Sequence, residues 1–209
     1  MTANFSVPDS SIDQLILVII DNFGLYEIIT YQPGFMIKAL ENLLLITPPS
    51  KDRALADPMI QDIFYSQQNK TFNLIDHVLK HDKQIKVITR EDDLSNITTN
   101  HSVAITEKSD INIYVKAVKA INRYDFLVLH FSDFDEMYKR YSMSPPDEVA
   151  AKVMRRTDKW LNLFNQQAID NTALMVIGNK GKRPIDMHLE GRAAEWKRAN
   201  LPIGLIKFP

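Results

Sequence analysis

Three polar clusters each follow an apolar run, and together they hold residue types that ligate metal ions. Asp21-Asn22 follows residues 15–20 (LILVII). Ser132-Asp133-Phe134-Asp135 follows residues 126–131 (FLVLHF). Gly178-Asn179-Lys180-Gly181 follows residues 172–177 (TALMVI). An acid at the end of a buried strand, Asp21 first among them, can be a metal ligand at the mouth of a site, since divalent cations take carboxylate oxygens. The competing reading is that each acid is only the polar end of a buried strand. The histidines add less. His77 and His81 stand one turn apart, a spacing that can bind metal, but with no third ligand in view they read as a solvated pair. His130 interrupts an apolar run and reads as a hydrogen-bonded core histidine. His188, near Asp186, is an isolated candidate ligand.

The elements that must position these clusters follow from the apolar pattern. None of the three runs alternates in polarity, so each reads as a strand buried on both faces, as in a parallel sheet covered by helices. Residues 84–89 (QIKVIT) read as a fourth strand nearer an edge, and 203–208 as a fifth. Helical spacing appears between them. In 71–81, Phe72, Ile75, Val78 and Leu79 share a face. In 110–122, Ile113, Val115, Val118 and Ile121 point inward. Residues 146–165 follow Ser144, expected as the N-cap, with proline in the first turn. Strand and helix alternate, which gives an α/β class with a mostly parallel central sheet flanked by helices. Sites in such sheets form outside the carboxyl ends of the strands, where the three clusters lie.

Composition narrows the function classes. The 209 residues suit a single domain, 1–209, with 1–13 as a flexible N-terminal segment. The 25 basic and 26 acidic residues nearly cancel, so nothing argues for nucleic acid. A basic group near the C-terminus (Arg183, Arg192, Lys197, Arg198) reads as a solvated face. The chain has no cysteine, which excludes disulfides and thiolate chemistry and fits a cytoplasmic setting. The polar start is not a signal peptide, and the longest apolar run is too short to span a bilayer. No glycine-rich phosphate loop is present.

The order of the segments resembles the alkaline phosphatase superfamily, in particular its type I phosphodiesterase and nucleotide pyrophosphatase branch. LILVIIDNFG is similar to the family's opening strand, which ends in Asp-Gly-x-Gly. LITPPSKDRALADPM is similar to the nucleophile segment. YDFLVLHFSDFDEMYKRYS is similar to the strand ending in Asp-x-x-Gly-His, NTALMVIGNKG to the one ending in Asp-His-Gly, and LPIGLIKFP to the closing strand. The resemblance implies two metal ions, usually zinc, held by aspartates and histidines, with a Thr or Ser that attacks phosphorus.

Carried over position by position, it implies Asp21 and Asp135 as retained ligand positions. Lys51 falls at the nucleophile, or Ser50 if the segment shifts by one. Lys139 replaces one histidine, and Asn179-Lys180 replaces Asp-His. His188 is a possible survivor of a later histidine. An ammonium has no lone pair near neutral pH and repels a divalent ion, by several kcal/mol at ~4 Å even with an effective dielectric of about 20. The same lysines would neutralise Asp21, Asp133 and Asp135. The expectation is therefore a pseudoenzyme that needs no metal and binds a protein partner or a small anion. The alternative is a phosphoester hydrolase with an altered magnesium, manganese or zinc site, with Ser50 as nucleophile and Asp21, Asp133 and Asp135 as ligands, an oxygen-only set that suits magnesium better than zinc. The loops at 89–108 and 181–199 are too short for a substrate-selecting cap.

Overall fold

The computed structural model describes residues 12–39, 42–45, 64–65, 73–142, 144–179 and 203–209. Among the described residues, seven strands form one sheet: β1 (Gln14–Asp21), β2 (Asn42–Leu45), β3 (Ile85–Thr89), β4 (Ala104–Thr106), β5 (Phe126–Phe131), β6 (Thr172–Asn179) and β7 (Ile203–Lys207). Their spatial order is β2-β7-β6-β1-β5-β3-β4. β7 runs antiparallel to both β2 and β6, and all other pairings are parallel. Mostly parallel pairing, flanked by helices, is what the non-alternating runs require: residues 16 and 18–20 of β1 have no exposed surface.

The helices are α1 (Leu25–Tyr31), α2 (Gly34–Ala39), α3 (Leu74–Lys80), α4 (Leu94–Ile97), α5 (Asp110–Ala120), α6 (Asp133–Arg140) and α7 (Asp147–Gln167). Residues of α2, α5, α6 and α7 pack on one sheet face with Ile16, Val18, Leu127 and Leu129. Ile75 of α3, Ile97 of α4 and Phe64 cover the other face with Leu17, Ile19 and Val128. Alternation along the strands therefore puts Asp21, Thr89 and His130 on the α3–α4 face at the carboxyl end of the sheet.

Several expectations are corrected. Ser144 does not cap α7: the helix follows Pro146, and the Ser144 N–H closes a turn on Tyr141 instead. Two consecutive prolines hold the intervening chain extended. Val115 is 45% exposed, because Ile113, Ala117 and Ala120 form the buried face of α5. The segment 89–108 is more than a loop. It carries two 3-10 turns, α4 and β4, so β4 takes the sheet edge outside β3. α3 starts at Leu74, capped by the Asn73 side chain, which accepts the N–H groups of Ile75 and Asp76; residues 71 and 72 lie outside the described residues, as does all but the end of segment 1–13.

One glycine is dictated by packing. Asn22 takes a left-handed conformation (φ 54°) immediately after β1, which asparagine tolerates. This turns Phe23 back over β6. A Cβ on Gly178 would lie 2.3 Å from the Phe23 carbonyl oxygen, so only glycine lets β6 end beneath this turn.

Candidate functional site

At the carboxyl end of β1, β3 and β5, three side chains meet around His130. This residue is fully buried, and its Nε2–H donates to Asp21 Oδ2 at 2.9 Å. On the other side of the ring, Nδ1 lies 3.1 Å from Thr89 Oγ1 and 3.6 Å from Asp93 Oδ2. The Ser132 hydroxyl lies 3.3 Å from each of the two carboxylates. Burial alone would lower the pKa of the imidazole. Asp21, by charge and hydrogen bond, and then Asp93 and Asp110, more than reverse this, and the net direction is up. Burial raises the Asp93 carboxyl, against the opposing pull of His130.

Asp135 stands beside this group rather than within it. Its Oδ1 accepts from the Asn22 amide at 2.6 Å, and its Oδ2 pairs with Lys139 at 2.5 Å, one turn along α6. The hydrogen bond that Lys139 donates to Asp135 raises the Lys139 pKa, with the charges of Asp135, Asp21 and Asp93 adding to it. Lys139 thus feels the same carboxylates that surround His130.

Asp133 belongs to a third, structural cluster. Arg90 donates to Asp110 at 3.0 Å, to Asp133 at 2.7 Å and to Glu136. Arg156 also donates to Asp133, while its guanidinium lies over the Trp160 ring. The buried Asp110 carboxylate accepts the backbone N–H groups of Ser132 (3.0 Å) and Asp133 (2.8 Å). It thereby caps α6 from another helix. Desolvation, then Asp133, raises the Asp110 pKa. This cluster holds α6, and with it Asp135 and Lys139, against the sheet.

Of the residues singled out in the sequence, Asp21, Asp135 and Lys139 come together. Asp133 is held apart by two arginines. Asn179 is the last residue of β6, paired in backbone register with Asp21. Ser50, Lys51, Lys180 and His188 lie outside the described residues. His77 and His81 are exposed, with ring centroids 4.5 Å apart. Two site members were not among the expected site residues. Asp93 stands in Glu91-Asp92-Asp93, directly after β3, the same strand-end position as the three clusters. His130 is buried and hydrogen-bonded, as read, yet it sits at the centre of the site. The signal was its parity with Val128, which turns both toward the α3–α4 face.

The donor types suit one divalent ion. An oxygen each from Asp21 and Asp93 and one nitrogen of His130 lie within 4.8 Å of one another.

No protein-family model matches the chain, and no curated protein matches it in sequence. Solved structures do match. A Vibrio parahaemolyticus protein in the alkaline phosphatase superfamily aligns at TM-score 0.58 and 14% identity, covering 95% of this chain and 60% of its own. The fold is that of the alkaline phosphatase superfamily. The C-terminal periplasmic domain of EcEptC from Escherichia coli aligns at 0.57 and 11% identity, over 99% of this chain and 76% of that one. Murine ectonucleotide pyrophosphatase/phosphodiesterase 5 aligns at 0.55 and 11%, over 85% and 61%. The chain thus spans about three fifths of the length of the Vibrio protein. Among the described residues, no helix is long and apolar enough to cross a membrane.

Proposed function

We propose that this chain is a non-catalytic member of the alkaline phosphatase superfamily, acting as a binding protein for a partner or a small anionic ligand. The observation that carries this reading is the placement of cations on the retained acids. The His130 ring lies between Asp21 and Asp93, and Lys139 holds Asp135. The raised pKa of the His130 ring and the Lys139 ammonium, both set beside acids that the resemblance implies as ligand positions, support a strand end neutralised by the chain itself.

A second reading is favoured by one observation, the Asp21–Asp93–His130 donor set. On that reading these three residues hold a single divalent ion, which would polarise a phosphoester. The chain is then a phosphoric ester hydrolase with an altered site.

Calorimetric titration of the chelator-treated protein with zinc, manganese and magnesium separates the two, run beside hydrolysis of a nitrophenyl phosphate and its diester. The first reading expects no stoichiometric site tighter than about 0.1 mM, weaker than about −5.5 kcal/mol, and no turnover. Tight one-to-one binding with turnover lost in Asp21→Ala and Asp93→Ala would replace it with the second.

A further inference from the structure

A separate cleft opens between α2 and the middle of α7, with a volume of ≈ 500 Å³. Asp21, Asp93 and His130 do not line it. Its walls include the half-buried rings of Tyr31 and Phe35, and its rim carries exposed Lys38, Arg155 and Lys159 with Asn162 beside them.

The charges on this rim are not balanced. Arg155 and Lys159 are four residues apart on one helix face, where like charges repel, and Lys38 adds a third cation from α2. None of the three makes an ion pair among the described residues. The one acid among the described residues lining the cleft, Asp158, is committed elsewhere: its two oxygens accept the backbone N–H groups of Phe35 at 3.0 Å and Met36 at 2.9 Å. The start of α2 is thereby closed to any ligand, and the free donors are the side-chain cations.

We propose that this cleft binds an organic phosphate carrying a planar ring, the ring lying against Tyr31 and Phe35 and the phosphate bridging Arg155, Lys159 and Lys38. The volume is within the range of small-molecule sites. A guanidinium with two ammonium groups matches the oxygen fork and charge of a phosphate, and flat rings supply the apolar contact. The inference is independent of whether the strand-end site is catalytic.

Calorimetric titration of the full chain with ADP, adenosine and inorganic pyrophosphate, in the presence of chelator, provides the test. ADP is expected to bind at micromolar concentration. Adenosine and pyrophosphate, each lacking one half of the recognised pair, are expected to bind at least tenfold more weakly. The double variant Arg155→Gln/Lys159→Gln, changed only at exposed positions, should lose at least tenfold in ADP affinity, and Lys139→Gln, at the strand-end site, should lose none. Failure of ADP to bind overturns the proposal. So does ADP binding that survives the double variant or is lost in Lys139→Gln, since the ligand would then sit elsewhere. Pyrophosphate binding as tightly as ADP would leave the rings no part and overturn it equally.

Discussion

Asp110→Ala should cost the fold about 3 kcal/mol, more than any exposed ion pair here. Asp110 is 2% exposed and does three things at once. It accepts the Ser132 and Asp133 N–H groups at the start of α6, and it pairs with Arg90. Losing a helix cap costs about 1 kcal/mol. Removing one partner of a buried ion pair costs about 3–5 kcal/mol, here reduced because Arg90 keeps Asp133 and Glu136. Against this, alanine relieves the burial that already disfavours the ionised carboxylate. The net of about 3 kcal/mol corresponds to a fall in melting temperature of about 6–12 °C for a chain of this size. Thermal and urea unfolding give the global number, and amide hydrogen exchange at Ser132 and Asp133 reports the cap directly. Arg90→Ala should act on the same unit, with a coupling energy in the double variant of about 1–3 kcal/mol. A loss below about 1 kcal/mol in Asp110→Ala, with both amides still protected, would refute the account of how α6 is held.

Two further outcomes follow. Gly178→Ala forces a Cβ to within 2.3 Å of the Phe23 carbonyl oxygen and should destabilise by about 1–3 kcal/mol, read as a shift in the urea midpoint; an unchanged midpoint would contradict the close approach of the two chains. The second concerns pH. The folded pKa of His130 lies above its ordinary value of about 6.5, so the protonated ring stabilises the fold fully below that pH, and the contribution is lost as pH rises through the folded pKa. The urea midpoint of chelator-treated protein should therefore fall on the alkaline side of about 6.5, and His130→Gln should flatten that slope; a midpoint that rises over this range would reverse the assignment of charge to the ring.

The apolar runs made the sheet legible, because strands buried on both faces cannot alternate in polarity. β1, β5, β6 and β7 appear where the runs lie. β2 and β4, of four and three residues, were not: such short strands take their identity from the neighbour that supplies their hydrogen bonds. The reversed direction of β7 is likewise set by where the chain returns from, which a local pattern does not record. Asp21 was legible for the same reason, since it closes a long strand signal, and Asp135, beside the site, follows shortly after another. Asp93 and His130 required knowing that β3 and β5 are adjacent and in parallel register. The role of Asp133 depended on Arg90 and Arg156, residues 43 and 23 positions away and unmarked by any spacing rule.

The place of β1 has a consequence for how this chain reaches its fold. It lies between β5 and β6, and its first residue, Gln14, pairs with Thr172, 158 positions later. At a synthesis rate of about 5–20 residues per second, roughly 8–30 s separate the appearance of those two partners. Until residue 131 is made, a strand of eight residues, six of them apolar in unbroken succession, has neither of its final neighbours complete, and β6 is missing for the whole interval. Pairings this distant in sequence slow the search for the native state. A central, buried strand of the sheet is thus left long without partners during biosynthesis, and it is where a holding chaperone would be expected to bind the nascent chain.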